Sequence, residues 1–191
     1  MCDGNAIGVF LLLAELAVIT ASIMLLTAIQ NAESLLTAFK SVGGTVTTIV
    51  FVGLALANLV AAAGLVSSGC TGGGCGSSGS ALLTAINITI GMLTGLTVSL
   101  AVATFVPPAV LIAGPAALIT LAGAGGSFAY LGVLAATLAA CLAPAATTPP
   151  AWLVLSAAVA FVTAFTAIFT AVYGAYYLSK DIAKINSAAS G

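Results

Sequence analysis

From Ser41 to Ser179 the chain contains no Asp, Glu, Lys, Arg or His. A water-soluble fold cannot be built that way, because a surface facing water needs roughly a quarter of its residues charged. Across all 191 residues 4% are charged and 62% are hydrophobic, and the mean hydropathy is +1.30. Most of these side chains must therefore be solvated by lipid, by copies of the chain, or by both. The net charge of −1 argues against nucleic acid as a partner, since phosphate binding needs basic patches that displace counterions.

A helix that crosses a bilayer needs about 20 predominantly apolar residues. Four blocks qualify directly: 7–29, interrupted by Glu15; 45–66; 81–106, closed by Pro107-Pro108; and 152–178, entered through Pro149-Pro150 and left through Ser179-Lys180-Asp181. The first block has no basic residue before it and no small-residue cleavage site after it, so it reads as a retained helix rather than a signal peptide. The stretch 109–143 is harder. As one unbroken helix it would reach roughly 50 Å, against a hydrocarbon core of about 30 Å. Pro115 and the cluster Gly123-Ala124-Gly125-Gly126 lie within it. The favoured arrangement is a span over 119–142 preceded by an interfacial stretch over 107–118. The expected fold is all-α, a polytopic transmembrane bundle of five spans forming a single integral membrane domain. Four spans plus a re-entrant hairpin is the alternative.

Lys40 follows the first span, and Lys180 and Lys184 follow the last. Lysines favour the cytoplasmic side, and five spans with the N-terminus outside place both groups there. The same topology puts Cys2, Cys70, Cys75 and Cys141 at the outer face, where oxidising compartments preserve disulfides. Cys70 and Cys75 lie in the glycine–serine patch Ser67–Ser80, so a local Cys70–Cys75 bridge is expected, leaving Cys2 to reach Cys141. The spacings do not match a zinc site and histidine is absent, so no metal or other cofactor is expected.

Polar groups inside spans are the usual carriers of function in membrane proteins. Glu15, Asn58 and Asn87 lie at similar distances from the outer ends of their spans and are expected to share one layer, as an ion site or as interhelical hydrogen bonds. Glu33 and Lys40, near the inner surface, read as solvated charges. Asn87-Ile88-Thr89 matches a glycosylation sequon but falls inside an apolar run, out of reach of water. Gly91 and Gly95 form a GxxxG pair suited to close helix packing. Gly123–Gly126 lacks the Lys-Ser/Thr ending of a phosphate loop. Trp152 at one end of the last span, and Tyr173, Tyr176 and Tyr177 at the other, fit interfacial belts.

Without histidine there is no Ser–His or Cys–His pair, and Glu15 and Glu33 would stand roughly 27 Å apart on one helix. The residue inventory therefore points away from an enzyme. A structural or assembly role in a membrane complex, array or viral envelope is expected, with lipid, copies of itself or larger membrane subunits as partners. The alternative is a small channel or transporter using the Glu15–Asn58–Asn87 layer. A third reading is a lipid- or quinone-binding accessory subunit of an energy-transducing complex.

Overall fold

With no water available to backbone N–H and C=O groups, a chain in hydrocarbon must satisfy them within its own helices. The computed structural model describes residues 2–31, 42–106, 110–145 and 150–190. It consists of α1 (Gly4–Asn31), α2 (Val42–Gly69), α3 (Gly76–Phe105), α4 (Val110–Leu142) with a short 3-10 turn at Ala143–Ala145, and α5 (Ala151–Ser190). All five helices are long and apolar enough to cross a membrane, and no strand occurs among the described residues. The five-span, all-α architecture is the one expected. Glu33 and Lys40 lie outside the described residues.

The stretch 110–142 differs from expectation. It is neither an interfacial segment joined to a shorter span nor a re-entrant hairpin, but one helix of 33 residues containing Pro115. Proline withholds one N–H and crowds the carbonyl four residues back, here that of Leu111, so the helix forgoes one backbone bond in its second turn and continues. The glycines of 123–126 do not break the helix either. A Cβ on Gly125 would come within 3.1 Å of the Ala164 carbonyl, and one on Gly123 within 3.1 Å of the Met92 sulfur. These glycines are notches for neighbouring helices.

Each helix packs on its neighbour in the chain, and α5 closes back on α1, making a ring. The faces turned inward repeat every seven residues. On α1 they are Ile7, Leu11, Ala14, Val18, Ala21 and Leu25; on α4, Ala117, Leu121, Ala124, Phe128, Leu131 and Ala135. Alternating steps of four and three residues match the shallow left-handed crossing of near-parallel helices. On α5 the inward stripe is small: Ala157, Ala160, Ala164, Ala167 and Ala171 are buried. The bulky Phe165, Phe169 and Val172 face out. Hydrocarbon rewards neither direction for a large apolar group, so size and not polarity sorts these residues.

The closing contact between α1 and α5 is the tightest. A Cβ on Gly8 would overlap the backbone of Trp152 and Leu153. Asn5 Oδ1 accepts a hydrogen bond from the Trp152 backbone N–H at 3.2 Å, satisfying one of the donors left over at the start of α5. The Asp3 carboxylate caps α1 through the Ala6 N–H at 3.1 Å. Farther along, the Thr163 hydroxyl lies 3.5 Å from the Glu15 carbonyl and the Thr170 hydroxyl 3.3 Å from that of Ser22. The constant offset between partners shows that α1 and α5 run parallel, as the first and last of an odd number of spans must.

Both disulfides lie at one end of the ring, and their pairing corrects the expected one. Cys2 is bonded to Cys70 and Cys75 to Cys141, and no described cysteine is free. Neither the Cys70–Cys75 nor the Cys2–Cys141 bridge forms. Cys70, buried, directly follows α2, and its bridge brings it beside the start of α1. Cys75 sits at the N-cap of α3, and its bridge reaches the end of α4. The turn between them needs no bridge: Gly73 takes the left-handed φ of +74°, and Gly79 packs on the Cys70 carbonyl so closely that a Cβ would overlap it. The observed bridges span 68 and 66 residues, and constraint of the unfolded chain grows with loop length.

Replacing Gly8 by Val should lower the thermal midpoint in detergent by the equivalent of about 2 kcal/mol or more, because the α5 backbone must retreat. Gly126→Ala, where a Cβ meets nothing within 4 Å, should leave stability unchanged or raise it by up to about 1 kcal/mol. Peptide mapping without reductant should recover Cys2 with Cys70 and Cys75 with Cys141.

Candidate functional site

Among the described residues, large apolar side chains pack the ring interior. Phe128, Leu11, Leu59, Leu82, Ile86 and Leu93 are all fully buried. Between α1, α2, α3 and α4 a cavity of about 10 Å³ remains, lined by Val18, Ala21, Ser22, Leu25, Thr48, Val52, Leu96, Leu100 and Leu121. Room of about 10–15 Å³ is what a single water needs, so this space is no conduit.

Glu15 is wholly buried, and both its carboxyl oxygens lack a hydrogen-bond partner among the described residues. Ser22 Oγ, two turns along the same face, and Thr45 Oγ1 on α2 are likewise buried and unpaired. The expected layer with the two amides is not assembled. Asn58 is half-buried and donates its side-chain N–H to the Leu54 carbonyl of its own helix at 2.8 Å. Asn87 is exposed on the outer surface of α3. Equal depth along three helices does not imply a shared direction, and these three point to different places.

The GxxxG pair also acts differently from expectation. A Cβ on Gly91 would meet nothing within 4 Å, and one on Gly95 would touch Thr120 at an ordinary 3.4 Å. Closer approaches occur at other glycines, among them Gly8, Gly125 and Gly132; a Cβ on Gly132 would stand 3.0 Å from both the Ala157 carbonyl and the Ala160 Cβ. Asn5, Ser22, Thr163 and Thr170 escaped the sequence reading. The matched seven-residue spacing of Glu15 with Ser22 and of Thr163 with Thr170 was the available signal.

The outer surface is uneven. α5 carries a ladder of aromatic rings, Phe165, Phe169, Tyr173 and Tyr177, with successive centroids 6.2, 6.2 and 5.1 Å apart. The ladder ends where the Lys180 ammonium lies 4.7 Å from the centre of the Tyr176 ring. Trp152 is exposed at the opposite end of α5, so the two ends carry the amphipathic rings of a membrane-spanning helix. Near the disulfide end a cleft of about 420 Å³ opens between α4 and α5, lined by Ala136, Ala139, Ala140, Ala143, Pro150, Val154, Ala157, Ala158 and Phe161. Among the described residues no side-chain donor or acceptor lines it.

Fold and composition together define the chain as an integral membrane helical bundle. Compared with known protein families, curated proteins and solved structures, it matches none of them.

An unpaired carboxyl in a hydrocarbon interior opposes folding, since acids at a span's centre cost about 2.5–3.5 kcal/mol on insertion scales. Glu15→Met, which keeps the length of the side chain without its oxygens, should raise the thermal midpoint in detergent. A lowered midpoint would show that the carboxyl has a partner in the folded state.

Proposed function

We propose that the chain is a non-catalytic structural subunit of a membrane assembly, a complex, array or envelope built with copies of itself or with larger membrane proteins. The filled interior of the ring carries this reading. A transporter needs a path or a midplane site that opens alternately, whereas here leucines and Phe128 occupy the centre and two disulfides tie four of the five helices at one rim. Such a body suits mechanical work, because it presents fixed outer faces. In the proposed orientation the disulfide rim lies outside, in an oxidising compartment, and Lys40, Lys180 and Lys184 lie on the cytoplasmic side.

The competing reading is a channel or transporter, and the unpaired Glu15 carboxyl is the observation in its favour. The two separate cleanly by experiment. Isolated from its native membrane, a structural subunit should appear in a large particle at fixed copy number, and the pure chain in liposomes should pass no ions. Flux that disappears in Glu15→Gln while assembly persists would establish transport instead. A reductant and maleimide that cannot cross membranes, applied to intact cells or particles, should label Cys2, Cys70, Cys75 and Cys141. Protection of all four unless the membrane is opened would reverse the orientation.

A further inference from the structure

We infer that the outward face of α3 is where a second copy of this chain docks, the two α3 helices lying side by side about a two-fold axis normal to the membrane. This inference rests on the structural reading above and names its partner. On α3 the residues Ser80, Thr84, Asn87, Gly91, Thr94 and Val98 are all exposed. They follow one another in steps of four and three, so they form a single straight stripe. The stripe differs from the outward face of α5. Across the ring, α5 shows lipid the large groups Phe161, Phe165, Phe169 and Val172, whereas this stripe is small or polar from Ser80 to Thr94 and turns apolar only at Val98, with Ile88 and Met92 exposed beside it.

Two observations select a partner of the same kind. Thr84 and Thr94 donate their hydroxyls to the Ser80 and Ile90 carbonyls of their own helix, so they are content in lipid. Asn87 is not. Its amide makes no hydrogen bond within the described residues, in contrast with Asn58, which is bonded to the Leu54 carbonyl. Hydrocarbon offers neither donor nor acceptor, and a primary amide supplies both. Its natural complement is therefore a second primary amide. All copies insert in one orientation, so two α3 helices meet parallel and at equal depth. Asn87 then faces Asn87 across the axis with no adjustment of register, as an isologous contact requires.

Backbone approach is provided one turn later, where a Cβ on Gly91 would meet nothing within 4 Å. A gap beside a polar side chain is the pattern of membrane helix interfaces. On α2, next to α3, Gly53 and Gly64 are exposed and likewise have nothing within 4 Å of a Cβ. Gly91, which meets no neighbour within one chain, has its use between two.

The test uses the full disulfide-bonded chain in lipid vesicles, half of it carrying a donor fluorophore and half an acceptor, with energy transfer followed as lipid is added. Asn87→Leu and Gly91→Leu should each weaken association by tenfold or more. Asn87→Gln, which keeps the amide, should retain most of it, and Phe165→Leu on the opposite side should change nothing. A photoreactive side chain at Thr94 should yield a covalent dimer, and one at Val172 should not. Energy transfer that is insensitive to Asn87→Leu and Gly91→Leu, or dimers formed through Val172, would overturn the inference. If the native particle has fixed copy number but Thr94 crosslinks to a different protein, this pairing fails and the structural role survives. A chain solitary in its native membrane and in vesicles overturns both.

Discussion

Lipid removes the force that folds soluble proteins. A leucine turned inward gains nothing that it lacked facing an acyl chain, so helices in a bilayer associate through close packing and polar contacts. The structure depends throughout on how near two backbones can come. Gly8 admits the start of α5, and Gly125 and Gly132 admit its alanine stripe. On α5 the large side chains are displaced to the outside, where Phe165 and Phe169 need only be greasy. Thr163 and Thr170 add carbonyl contacts to α1 that only such proximity allows.

Closure of the ring follows from the same constraint. α5 has to return beside α1, and the disulfide end is where the return is secured: Asn5 meets the Trp152 backbone, while the bridges bind the start of α1 to the end of α2 and the start of α3 to the end of α4. Four helices are tied covalently there and the fifth by hydrogen bonding. The other end is held by packing, with aromatic rings and Lys180 at the termination of α5. A body stapled at one rim and filled at its centre has little freedom to open and close. The structural role proposed above draws on that limited freedom.

Much of this fold was legible in the residues. The number of spans followed from the length of charge-free runs, and the gathering of four cysteines at one end followed from counting crossings. The errors share a cause. Pro115 and Gly123–Gly126 read as breaks because in water they would be, whereas within a lipid-embedded helix glycine serves close packing and an interior proline is tolerated. The Glu15–Asn58–Asn87 layer was drawn from depth alone. Depth can be counted along a sequence, but the rotation of a helix about its axis is normally read from the contrast between polar and apolar faces, and these helices have almost none.

The sequence by itself determined the solvent, the helical class, the five crossings and the clustering of sulfur at one rim, because each depends on length and composition along a single axis. The tertiary structure alone decided which cysteine meets which, which glycines touch a neighbour, and which amide is left facing lipid. Those depend on azimuth, and azimuth is set only when five cylinders of unequal bulk are pressed together until their small sides meet.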